Sequence, residues 1–224
     1  MGRLASIKPA QTLSDKAYEI IKEAIVTNEL KPGELLIEEK LANQLDISRT
    51  PIRAALKRLM MEKLVVMSNK SIEVADITFS EMENIVQVRR MIEPTLIDML
   101  KDDITSRDVE ELWEIQNQLR YNIENEQYRD YVELDNQFHM YFIDKIHNNY
   151  LKDLFEQLLT NYGRLAILSG TCKSYGAVAV EEHSCIIKAL EQNNYDAAKN
   201  YVTGHIMNIY ERYCRYWNQE PNKI

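Results

Sequence analysis

Four side chains able to share one cation recur along the last two-thirds of the chain. His139 follows Asp135 by four positions, which puts both on one face of a helix. Their neighbours on that face are Tyr128, Tyr131, Val132, Phe138 and Phe142, so the polar pair points into an apolar interior. His183 lies on the stripe Ala179, Ile186, Ile187, Leu190, and His205 on Ala198, Tyr201, Val202, Ile209. A single inward histidine is ordinarily a hydrogen-bonded core residue. Three of them with a carboxylate are costly to bury without a shared partner, and one divalent cation satisfies all four; zinc, nickel and manganese all suit such donors. Arg89 falls in the middle of Met82, Ile85, Ile92, Leu96 and Met99. Two readings of it stay open: an inward ion pair with Glu93 one turn on, or a bidentate anchor for a ligand carboxylate beside the metal. His147, in Lys145-Ile146-His147-Asn148-Asn149, reads as a surface or capping residue.

A second chemistry is concentrated near the front. Between Ser48 and Lys63 five basic residues stand against one acidic residue, Glu62. Arg49, Arg53 and Lys57 follow at i, i+4, i+8, whereas Ile52, Ala55, Leu56 and Leu59 make an apolar stripe elsewhere on the same helix. One face packs and the other is cationic, the distribution that phosphate contact requires. The net charge of −8 does not oppose this, because residues 1–75 carry 12 Lys/Arg against 10 Asp/Glu and residues 76–224 carry 15 against 25.

These groups need elements to hold them. Ala17, Ile20, Ile21, Ala24 and Ile25 predict a first helix from Leu13 to about Asn28, closed by Lys31-Pro32-Gly33. Ile37, Leu41, Ala42 and Leu45 predict a second helix. A tight Asp46-Ile47-Ser48 turn leads into a third, with Ser48 or Thr50 as cap and Pro51 in its first turn. Leu64–Met67 and Ile72–Val74 around a Ser68–Ser71 turn predict a hairpin, which makes the module a winged helix-turn-helix over residues 1–76. Residues 77–224 then predict six helices, 80–101, 106–125, 127–147, 149–169, 175–192 and 194–217, in an antiparallel bundle, with Pro94 bending the first near Arg90. The fold class is therefore mainly α.

Composition narrows the class. At 45% apolar and 28% charged the chain is that of a folded globular protein. No apolar run reaches the ~18 residues of a membrane span and MGRLASIKPAQT lacks a signal-peptide stretch, so a cytoplasmic protein with no membrane partner is expected. Three cysteines without CxxC spacing argue against a disulfide framework or thiolate zinc site.

The run KPGELLIEEKLANQLDISRTPIRAALKRLMMEKLV resembles the winged helix of the GntR family, whose pattern S-R-T-P-V/I-R-x-A-L-x-x-L is Ser48 to Leu59 here. The resemblance implies that Ser48, Arg49, Thr50 and Arg53, with Lys57 on the same face, contact a double-stranded DNA operator; which arginine reads bases stays open. Glu39 and Asn69-Lys70 stand where the family commonly has a basic residue and a wing-tip glycine. Glu81 to Glu93, Asp135-x-x-x-His139, Glu182-His183 and His205 resemble the FCD effector domain of the FadR subfamily. That likeness implies one metal ion held by Asp135, His139, His183 and His205. It also implies an effector drawn from small organic or sugar acids rather than acyl-coenzyme A. A single short reading helix per chain predicts a homodimer. The competing class is a metal-dependent hydrolase or lyase, disfavoured by the absence of HExxH and of a His-Asp dipeptide; a purely structural metal site is a third reading.

Overall fold

The computed structural model describes residues 12–219, so the leader reading of the first residues lies outside the described ones. The chain divides after Asp76 into two compact units.

The front unit has α1 (Leu13–Val26), α2 (Glu38–Gln44), α3 (Arg49–Met61) and a hairpin of β1 (Val65–Ser68) and β2 (Ser71–Val74). A reciprocal capping box of Thr12 and Asp15 starts α1. Tyr18 is buried there, while Ile20 of the expected stripe is 53% exposed. In α2, Ile37 is the N-cap and faces solvent rather than the core. Ile52, Ala55, Leu56 and Leu59 of α3 are fully buried, and packing of α3 against α1 makes most of this core. Each of the three larger side chains, Ile52, Leu56 and Leu59, contributes about 1.5–3 kcal/mol. Ser48 caps α3 by position, without a side-chain hydrogen bond. The hairpin is tighter than its sequence suggests: Ser68 and Ser71 pair, and only Asn69 and Lys70 form the loop, both at positive φ, the signature of a type I′ turn. Residues 33–36 add a rung the sequence did not announce, through Leu36 N–H to the Ile72 carbonyl at 2.8 Å and Val74 N–H to the Glu34 carbonyl at 2.9 Å.

The back unit is helical among its described residues: α4 (Phe79–Met99), α5 (Ser106–Glu124), α6 (Tyr128–Lys145), α7 (Asn149–Ser169), α8 (Thr171–Glu191) and α9 (Tyr195–Gln219). Capping boxes Thr78/Glu81 and Thr105/Asp108 open α4 and α5. Pro94 lies inside a continuous α4, where it cannot donate to the Arg90 carbonyl. The buried face of α4 is Met82, Val86, Arg89, Glu93, Leu96 and Ile97; Met99, expected on it, is exposed. In α9, Tyr201 is exposed in the same way. His147 is exposed at φ 54°, ending α6 with its N–H on the Asp144 carbonyl. Helix α9 packs on α8 and α4, and α6 on α5, α7, α4 and α8. That arrangement brings the inward faces of α4, α6, α8 and α9 together. No helix among the described residues is long and apolar enough to cross a membrane.

Candidate metal centre and nucleic-acid interface

The three histidines converge. His139 from α6, His183 from α8 and His205 from α9 each present a ring nitrogen within 4.8 Å of the others. All three are buried, as are Asp135 and Glu93. The Asp135 carboxylate approaches His183 Nε2 at 3.8 Å. Phe138 stacks on the His183 ring at 4.1 Å between centroids, fixing its plane.

Two glutamates hold the other rings. His139 Nδ1 lies 2.8 Å from Glu93 Oε2, and His205 Nδ1 lies 2.8 Å from Glu182 Oε2. A carboxylate accepts only, so each Nδ1 carries the proton and each Nε2 turns its lone pair toward the centre. Glu182 is itself held by Arg212 and by Asn208 Nδ2 at 2.8 Å. Burial holds all three imidazoles below their ordinary value, so they are neutral and able to ligate; the effect is largest for His183. Burial also raises Asp135.

The donor set fits a cation. His183 Nε2 faces His205 Nε2 at 3.2 Å. If His183 donates there, its buried Nδ1 is left as an acceptor with no hydrogen-bond partner among the described residues. If it does not, two lone pairs oppose each other. A metal ion between the rings would take both inward Nε2 lone pairs and so remove their opposition.

Arg89 is fully buried and makes the inward ion pair: Nε donates to Glu93 Oε1 at 2.5 Å and Nη2 donates to His139 Nε2 at 2.9 Å. Although burial opposes both charges, each partner keeps the other ionised, with Glu93 well below the usual carboxylate range. Arg89 Nη1 has no hydrogen-bond partner among the described residues, and the guanidinium lies 4.7 Å from the Tyr162 ring. Next to Asp135 a small cleft is lined by Tyr131, Tyr162, Tyr175, Tyr213, Thr171 and Arg212, among others. The sequence places Asp135 and Tyr131 on this face and does not point to the cleft's other polar residues, Tyr162, Thr171, Tyr175, Arg212 and Tyr213.

In the front unit Arg49, Thr50, Arg53 and Lys57 of α3 and its N-cap Ser48 are all exposed. Arg53 and Arg49 share a partner, Glu38 of α2, which sequence reasoning missed. Arg53 Nε and Nη2 donate to its two carboxylate oxygens at 2.9 and 2.6 Å, and Arg49 Nη2 lies 3.5 Å away.

A helix-turn-helix with a wing and a basic reading helix, followed by a helical unit with an ionisable centre, defines a DNA-binding regulator with an effector domain. The chain belongs to the GntR family of bacterial regulatory proteins: that family's model matches residues 13–71, and the FCD domain model matches residues 84–208, more than half of the chain. It is 26% identical over 206 residues to the HTH-type transcriptional repressor RspR of Escherichia coli strain K12, covering 92% of this chain and 90% of that one. It is 24% identical to the gluconate operon transcriptional repressor of Bacillus licheniformis, over 79% and 74% of the two chains. The solved structure of E. coli McbR/YncC superposes with a TM-score of 0.75 at 21% identity, covering 92% of this chain and 99% of that one, a likeness of fold. These are regulators, not enzymes, and the hydrolase or lyase reading is set aside.

Proposed function

We propose that this regulator, a member of the FadR subfamily, binds one divalent ion through Asp135, His139, His183 and His205, and that a small carboxylate entering the adjacent cleft completes the coordination and changes operator affinity. The observation that carries the proposal is the convergence of three buried imidazoles, two of them held by glutamates with Nε2 facing inward. An ion at His139 would compete with Arg89 for one lone pair. Arg89 Nη2 would then stand free beside the unpartnered Nη1, giving two donors for a carboxylate, with Arg212 in the cleft wall. Hydroxyls of Tyr131, Tyr162, Tyr175, Tyr213 and Thr171 favour a hydroxylated acid, and a relative named as a gluconate operon repressor supports a sugar acid. Zinc, nickel and manganese remain the candidate ions. On the DNA side, Ser48, Thr50 and Lys57 meet phosphates while Arg49 and Arg53 supply phosphate and guanine contacts.

The test is a thermal-shift series with gluconate and other small carboxylates on metal-loaded and chelated protein, repeated on the His183→Ala/His205→Ala variant. The expected result is stabilisation that needs both metal and the two histidines, with DNA binding by the variant retained. Equal stabilisation of chelated protein would remove the metal from the mechanism.

A further inference from the structure

The Glu38 carboxylate lies against two of the three cationic residues of the reading face, Arg49 and Arg53. It is the first residue of α2, and its side chain is 18% exposed, against 56% for Arg53 and 60% for Arg49. The carboxylate is thus the recessed partner and the guanidiniums project beyond it. A guanidinium presents five N–H donors on separate edges. Arg53 gives one edge, Nε and Nη2, to Glu38, and this leaves Nη1 and the second Nη2 hydrogen as a parallel fork. That fork matches the O6 and N7 acceptors of guanine. Arg49 touches the same carboxylate only at 3.5 Å through one nitrogen, so it keeps its freedom. The mutual effect is visible in the charges: Arg53 lowers Glu38, and Glu38 raises Arg53.

We propose that Glu38 is a specificity-determining residue of the DNA interface: it holds Arg53 as a guanine reader, and by cancelling one positive charge on the reading face it suppresses binding to DNA of arbitrary sequence. The proposal rests on the reading that α3 faces DNA. Two physical effects act in the same direction. A guanidinium already oriented loses less side-chain freedom on meeting a base edge, so the cognate complex gains. Attraction to phosphates depends on the number of uncompensated cations and carries no sequence information, so a carboxylate beside Arg49 and Arg53 weakens every complex that lacks the base contact.

The experiment uses the full-length protein and two probes, a duplex selected by the wild type from a random-sequence pool and a scrambled duplex of the same composition. Affinities are read by fluorescence anisotropy across a salt series for wild type, Glu38→Gln, Glu38→Asp, Arg49→Ala, Arg53→Ala and the Glu38→Gln/Arg53→Ala double variant. Glu38→Gln should bind the scrambled duplex more tightly, with a log K against log salt slope steeper by about 0.9, and its preference for the selected duplex should fall about tenfold. Glu38→Asp keeps the charge but not the reach, so it should hold the wild-type slope and lose preference. In the Arg53→Ala background the Glu38 change should no longer alter preference. A role confined to tying α2 to α3 would move the melting temperature and leave preference and slope alone; that result overturns the proposal. If Arg49→Ala and Arg53→Ala bind the selected duplex as wild type does, the interface reading itself has failed. If they weaken it while Glu38→Gln keeps the wild-type preference, only the role of Glu38 has.

Discussion

Glu93 and Glu182 do for their histidines what no feature of those histidines' own helices does. Each accepts Nδ1–H across a helix boundary, 46 and 23 residues away in sequence, and so chooses the tautomer whose Nε2 lone pair is free for the proposed ion. Outer partners of this kind commonly change metal affinity by 10–100-fold. Glu182→Gln keeps the size and an acceptor oxygen but removes the charge that also engages Arg212. It should therefore weaken zinc binding about tenfold or more in calorimetric titration of chelated protein, with helicity unchanged. Unaltered affinity would show that Glu182 is a surface ion-pair residue only. Asp108 illustrates a purely structural carboxylate. It accepts from Thr105 N–H at 2.7 Å, Tyr141 at 2.6 Å and Lys145 at 2.6 Å. Burial alone would raise it, but these partners outweigh burial and hold it well below the usual range. A carboxyl depressed in the folded state stabilises above its unfolded value of ~3.9, and that contribution is lost as pH falls through the folded value. Asp108→Asn should thus lower the urea midpoint near neutral pH, and the gap from wild type should close in progressively stronger acid below about pH 4. A gap independent of pH would assign the loss to packing instead.

At the scale of elements, the inward stripes of α6 and α8 could be read directly, because period-3.6 patterning survives wherever a helix buries one face. This is why the inward placement of Asp135, His139 and His183 is legible in the sequence. Helix ends were less legible. Lys63, Glu126 and His147 terminate helices in the left-handed region, a position that glycine usually announces and these residue types do not. Ile20, Met99 and Tyr201 are apolar and correctly spaced yet exposed; spacing cannot tell the middle of a buried stripe from its edge. The partners of the histidines were hidden for a different reason: Glu182 is next to His183 in sequence but serves His205, and a helix directs adjacent side chains apart. One close approach controls how the site's helices meet. A Cβ on Gly163 of α7 would lie 2.6 Å from Val132 Cγ1 on α6, three residues before Asp135. Valine is stiff about χ1, so Gly163→Ala should cost about 1–3 kcal/mol through overpacking, more than the helix-propensity gain returns. At Gly176 the clashing atom is the mobile end of Ile123, and Gly176→Ala should lower the melting temperature less. The reverse order in a thermal melt would contradict this account of the α6–α7 contact.

For the molecule as a whole, charge separates the tasks. The front 75 residues carry a balance of +2 and the remainder −10, so phosphate attraction acts on the winged helix while the rest of the chain is repelled by DNA. Such a module, with a single thirteen-residue reading helix, contacts only a few base pairs. Two copies on half-sites about one helical turn apart are the usual way to reach useful specificity, and both copies then multiply any preference set by Arg49, Arg53 and Glu38. Full-length protein should accordingly scatter light as about twice 26.3 kDa. The sequences it selects from a random pool should be pseudo-palindromic, with half-site centres separated by about 10 base pairs or a multiple of that. Inserting about five base pairs between the half-sites turns one to the opposite side of the duplex. Affinity should then fall toward that of one half-site alone, and its salt dependence should fall with it, because fewer phosphates are neutralised. A monomer that binds one half-site as tightly as the whole selected sequence, indifferent to the insertion, would mean that specificity is complete within one chain.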